Sequence, residues 1–133
     1  MKALGERWTV EDLEVFKLAY ALSLEVHRAS LDFPKIEQYG GLADQLRRAS
    51  KSVCSLLAEG VGRQQGSPRE FSRYLTMAVG SAEEVRLWCR YACDLGYVEE
   101  HQAVEWRARC SQVIRMLQAL KARVEGDAAN SDH

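Results

Sequence analysis

Proline occurs only at positions 34 and 68 of this 133-residue chain, and residues 69–133 run without one. An all-β chain would need a turn signal every ~8–12 residues, and this sequence does not supply them. Between the breakers, apolar residues recur at three- and four-residue steps, the period of a helix buried along one side. The expected fold is therefore all-α. Hydrophobic residues make up 47% and charged ones 28%, a balance that suits a soluble globular domain and is too apolar for a disordered one. No uncharged apolar run approaches the ~18 residues of a membrane span. Met1 to Glu14 is charged and lacks the apolar centre of a secretory signal, so the cytoplasm is the expected location.

Local signals divide the chain into four helices. Thr9 can cap a first helix, with Glu11 and Asp12 in its first turn. Leu13, Phe16, Tyr20 and Leu24 form one stripe; Leu18, Leu22, Val26 and Ala29 form an adjacent one. Phe33-Pro34 ends the helix, because the residue before proline is pushed out of the helical region. A second helix is expected from Ile36 or Gln38 to Gly62 or Arg63, unless Gly40 and Gly41 delay its start. Gly62 to Ser67 reads as a loop. Ser67-Pro68-Arg69-Glu70 then has the form of a capping box with proline at the first helical position. A third helix follows to about Asp94 and stops before Gly96. A fourth runs from Glu100 to Val124. Short connections make an antiparallel up-and-down four-helix bundle the economical arrangement, with residues 1–125 as one domain and 126–133 as a flexible tail.

Catalytic patterns are missing from the sequence. It has no glycine-rich phosphate loop with its lysine, no HExxH and no nucleophile elbow. Glu59, Glu83 and Glu84 lack histidines one turn away, so the paired Glu-x-x-His signature of di-iron bundles is absent. Cys89 and Cys93 share a helix face, but the other ligands a zinc site would need are lacking, because His27, His101 and His133 are scattered. Cys54, Cys89, Cys93 and Cys110 read as free thiols serving as small apolar residues. Neither enzymatic activity nor a cofactor is expected.

Net charge is −1, but residues 40–75 hold six basic side chains against three acidic ones. Arg47, Arg48, Lys51, Arg63, Arg69 and Arg73 are candidates for a phosphate-binding patch, since guanidinium forks match phosphate oxygens. The competing reading pairs Arg63 with Glu59 and Arg47 with Asp44 along the helix. Trp8, Trp88, Trp106 and the tyrosines lie near apolar stripes and suit packing better than base stacking. Leu18, Leu22, Val26 and Trp106 exceed what one seam of a bundle hides. Such surplus points to protein–protein contact, most simply between copies of the chain.

The middle of the chain resembles a known family. The pattern comprises Leu42-Ala-Asp-Gln45-Leu-Arg47-Arg48-Ala49 with Ser52 and Ser55, then Ala58-Glu59-Gly60-x-x-Arg63. It continues with Phe71-x-Arg73-Tyr74-Leu75 and Ala78-Val-Gly80-Ser81-x-x-Glu84. As a set these residues are similar to the four-helix-bundle proteins of 23S ribosomal RNA intervening sequences, a group that includes accessory variability proteins of diversity-generating retroelements. The resemblance implies a homopentameric ring or barrel and, in the retroelement branch, binding of a reverse transcriptase and nucleic acid. It implies phosphate contact for Arg47, Arg48, Arg63 and Arg73. Glu59, Gly60, Gly80, Ser81 and Glu84 would serve helix packing and internal hydrogen bonding. Two departures are evident: Cys54 and Leu56 stand where the family often has proline and asparagine, and this chain is not basic overall. The expected function is a non-enzymatic oligomeric scaffold for RNA or DNA; the alternative is an oligomeric protein-interaction module without nucleic-acid binding.

Overall fold

A computed structural model describes residues 9–63 and 67–131 of the chain. Four helices account for the fold: α1 (Glu14–Ser30), α2 (Leu42–Arg63), α3 (Pro68–Asp94) and α4 (Glu100–Ser131). Consecutive helices pack antiparallel, and α1 closes the bundle against α4 through the sparsest of the four pairings. The all-α up-and-down bundle expected from the sequence is what forms.

The helix ends differ in detail from the sequence expectation. The Thr9 amide donates to the Asp12 carboxylate at 2.8 Å, which closes a 3-10 turn at Val10–Asp12. Leu13 is extended, and α1 begins only after it. Gly40 sits at φ +75°, a conformation no right-handed helix contains, so of the starts the sequence allows α2 takes the later one, at Leu42 after both glycines, and not Ile36 or Gln38. A separate 3-10 turn occupies Lys35–Glu37. Ser67 Oγ accepts from the Glu70 amide at 3.2 Å as expected for α3. The reciprocal half of the box is replaced: the Ser67 amide donates to the Arg63 carbonyl, and Glu70 turns towards Arg73. At the far end, Gly96 at φ +79° lets the Tyr97 amide reach back to the Ala92 carbonyl at 2.8 Å, a Schellman closure. Helix α4 continues through Ser131, past the expected end at Val124, in a stretch where Ala128 and Ala129 favour helix and no proline intervenes.

The core corrects the assignment of stripes on α1. Its buried face is Val15, Ala19, Leu22, Ser23, Val26 and Ser30. Two serines and an alanine belong to the inside because α1 lies close to α2, where Ser23 Oγ and Ser50 Oγ are 3.1 Å apart. Volume is filled instead by Trp106 from α4 and Phe33 from the connection. Leu22, Val26 (0% exposed) and Trp106 (1%) are internal, so they are core and not the surplus surface expected from the sequence. The outward apolar residues of α1 are Tyr20, 50% exposed, and Leu24, 37%. The two core sections centre on Leu57, Phe71, Leu75 and Leu117 and on Leu46, Val85, Cys89 and Trp106; full burial of one such leucine is worth about 1.5–3 kcal/mol.

Candidate nucleic-acid interface

The six basic residues singled out from the sequence separate into three groups. Arg47 points inward. Its guanidinium donates to Ser30 Oγ at 2.8 Å, to Gln38 Oε1 at 3.1 Å and to the Gln38 carbonyl at 2.9 Å. Gln38 in turn donates to the Ser30 and Phe33 carbonyls. This network fastens the α1–α2 connection, and Arg47 makes none of the expected pairing with Asp44.

Arg48 and Lys51 lie exposed on α2. Arg48 Nε meets Asp44 Oδ1 at 3.0 Å, and this guanidinium is the chief reason the Asp44 carboxyl ionises below its ordinary range. Lys51 faces α1. Burial first, and then the charges of Lys51, Arg47 and Arg28, hold the His27 imidazole below its usual pKa. Arg28 acts on His27 as its chain neighbour, whereas Lys51 and Arg47 act from α2 because the two helices pack together.

Arg63 and Arg73 converge at the α2–α3 turn. Their guanidiniums lie 5.3 and 5.4 Å from the centroid of the Tyr74 ring. The expected Arg63–Glu59 pair does not occur among the described residues. Arg73 Nη2 reaches Glu70 Oε2 only at 3.5 Å, and Arg69 is exposed one turn earlier. A cation over an aromatic face is held through the ring quadrupole, which leaves its N–H edges available. Along α2, Arg63 stands about 20 Å from Arg48 and Lys51 at 1.5 Å per residue, so the six do not form one patch within a single chain.

Of the remaining motif residues, Gly60, Ser52 and Ser81 lie where α2 meets α3. Gly60 is buried where α3 comes closest; a Cβ there would stand 3.0 Å from Phe71 Cδ1 and 3.1 Å from Tyr74 Cβ. Ser52 Oγ and Ser81 Oγ are 2.9 Å apart across the helix pair. Gly80 is exposed with open space around it. Glu59 and Glu84 are exposed, and neither has a hydrogen bond or ion pair among the described residues. Trp106 donates to Glu25, which also pairs with Arg109. Trp8 and His133 lie outside the described residues.

Among those residues, no three His, Cys, Asp or Glu side chains gather as metal ligands. The four cysteines are unpaired. None of the helices is long and apolar enough to cross a membrane.

Residues 11–119 match the family model described as 23S rRNA-intervening sequence protein. Among solved structures, the chain is similar to a protein with unknown function from the S23 ribosomal protein family of Bacteroides thetaiotaomicron VPI-5482. That likeness has a TM-score of 0.71 at 15% identity and covers 80% of this chain and 97% of the other. It supports the bundle and reaches no further than the fold. No curated protein matches.

Proposed function

We propose that this chain, which belongs to the family of 23S rRNA-intervening sequence proteins, is a non-enzymatic homo-oligomeric scaffold that binds nucleic acid in the cytoplasm. The observation that carries the reading is the convergence of Arg63 and Arg73 on Tyr74. Two guanidiniums braced by one ring, with Arg69 beside them, present phosphate-matching forks at little entropic cost. Exposed Tyr20 and Leu24 on α1, and Met77, Leu87 and Tyr91 on α3, supply apolar surface for docking copies. A pentameric ring follows the family resemblance, as does a reverse transcriptase partner. Repetition of weak sites around a ring raises avidity by ~10²–10⁴ when one strand spans them.

Fluorescence anisotropy with single-stranded RNA and DNA across a salt series tests the binding. Affinity should fall steeply between about 50 and 200 mM salt, and joint Arg63→Ala and Arg73→Ala replacement should weaken it for every sequence alike. No retention of either nucleic acid at about 50 mM salt would sink the reading. Light scattering coupled to size exclusion reads subunit number, and a mass of 15.0 kDa would remove the ring. The internal use of Arg47 favours a second reading, an oligomeric module with protein partners alone. On that reading the Arg63 and Arg73 replacements change assembly or stability and leave nucleic-acid retention at background.

A further inference from the structure

The α3–α4 side of the bundle, opposite the basic residues of α2, carries a second set of arginines. Arg86 Nη1 donates to Ser111 Oγ at 3.1 Å across the antiparallel pair. One turn onward along α3 and one turn back along α4 stand Arg90 and Arg107, which line the same cleft. The cleft is about 380 Å³ and is walled by Glu83, Glu84, Arg86, Leu87, Arg90 and Arg107.

The charges in this cleft are poorly matched internally. Arg86 is satisfied by Glu83 at 2.6 Å and by Ser111. Among the described residues Arg90 pairs only with Asp94, at 3.7 Å on its own helix. Arg107 makes no ion pair among the described residues, and its Nε is buried without a hydrogen-bond partner. A buried donor left without an acceptor is costly, and the Arg107 charge has no carboxylate paired to it among the described residues. An oxyanion seated in the cleft supplies the missing counter-charge to the part of the Arg107 guanidinium that lines it, beside Arg90.

We infer that this cleft is a binding site for a single phosphate group, held bidentately by Arg107 and Arg90 with Arg86 at its edge. Glu83 and Glu84 leave the lining only one positive charge in excess, which disfavours an extended polyanion and suits one isolated phosphate. Leu87 gives the cleft an apolar wall, and its volume lies within the ~300–1,000 Å³ of small-molecule sites. A phosphate monoester with a compact organic body therefore fits as well as the free ion. The site is separate from the α2–α3 surface, and its failure would leave the nucleic-acid reading untouched.

The test follows arginine Nε–H resonances by NMR in phosphate-free buffer during titration with inorganic phosphate and, separately, adenosine 5′-monophosphate. The Arg107 signal should shift saturably with half-saturation at or below about 1 mM, while Arg48 on α2 stays still. Arg107→Gln and, independently, Arg90→Gln should each weaken binding tenfold or more with the helical circular dichroism unchanged. Half-saturation equal for the two probes assigns the free ion as ligand, and tenfold tighter binding of the monophosphate assigns the ester; either supports the site. The inference is overturned if Arg107 does not move, if Arg48 moves in parallel, or if both variants bind as the parent does.

Discussion

Arg47 Nη1 donates to Ser30 Oγ at 2.8 Å, joining the first third of α2 to the last residue of α1. Ser30 is fully buried, and the same guanidinium holds Gln38 at two points. Arg47→Ala strands these acceptors and is expected to cost about 2 kcal/mol. Arg47→Lys should recover little of it, because a single ammonium cannot replace the fork. Arg48→Ala loses only an exposed i,i+4 pair and should stay within about 0.5 kcal/mol. Urea denaturation midpoints of the three variants separate a structural arginine from a surface one.

Gly60 and Gly80 make opposite predictions from the same substitution. Gly60→Ala drives a Cβ against Phe71 and the Cβ of Tyr74, an atom too close to the α3 backbone to yield. Overpacking of about 1–3 kcal/mol outweighs the ~1 kcal/mol gained in helix propensity, so the melting temperature falls. Gly80→Ala meets nothing within 4 Å and should raise the stability of the bundle by about 0.5–1 kcal/mol. Calorimetry on the pair gives both signs in one experiment.

Acid sensitivity should centre partly on Glu37. The Leu42 amide and the Tyr97 hydroxyl both donate to its carboxylate, at 2.9 and 2.8 Å. These bonds, the backbone one first, hold the carboxyl below the ordinary 4.5. The unfolded chain therefore takes up this proton first. The stabilisation is complete above the ordinary value and is lost as pH falls through the lower, folded one. Glu37→Gln keeps an acceptor but removes the titration, so its melting temperature should vary less than the parent's between about pH 5 and 3. An identical acid profile in the two proteins would assign the sensitivity to other carboxylates, of which Glu25 beside Arg109 is the first to test.

Cys54 should be nearly inert. Burial pushes its thiol up to about 11, so at about pH 8 the nucleophilic thiolate is roughly two orders of magnitude scarcer than in an unperturbed cysteine. Iodoacetamide labelling of the native protein, followed by peptide mass spectrometry, should find Cys54 modified at a correspondingly reduced rate. Labelling in about 6 M urea should restore it.

The bundle was legible in the sequence because its determinants are local. Helical periodicity, Ser67-Pro68 before α3 and Gly96 after it act within one turn of themselves, and each reappears in the structure. The face of α1 that turns inward was not legible. Hydrophobicity ranks Phe16, Tyr20 and Leu24 above Ala19, Ser23 and Ser30, yet the small residues are inside because a close neighbour leaves room for nothing larger. The fates of Arg47 and Arg63 were likewise decided by contacts beyond their own helix. Arg47 is claimed by the α1–α2 connection, Arg63 by a tyrosine of α3, and Arg107 of α4 lines one cleft with Arg86 and Arg90 of α3. Sequence alone determined that four helices form and roughly where they stop, since backbone hydrogen bonding and capping are short-range. Only the packed structure decided which side chains are buried and which charges remain open to a ligand, since both depend on what another helix brings within a few ångströms.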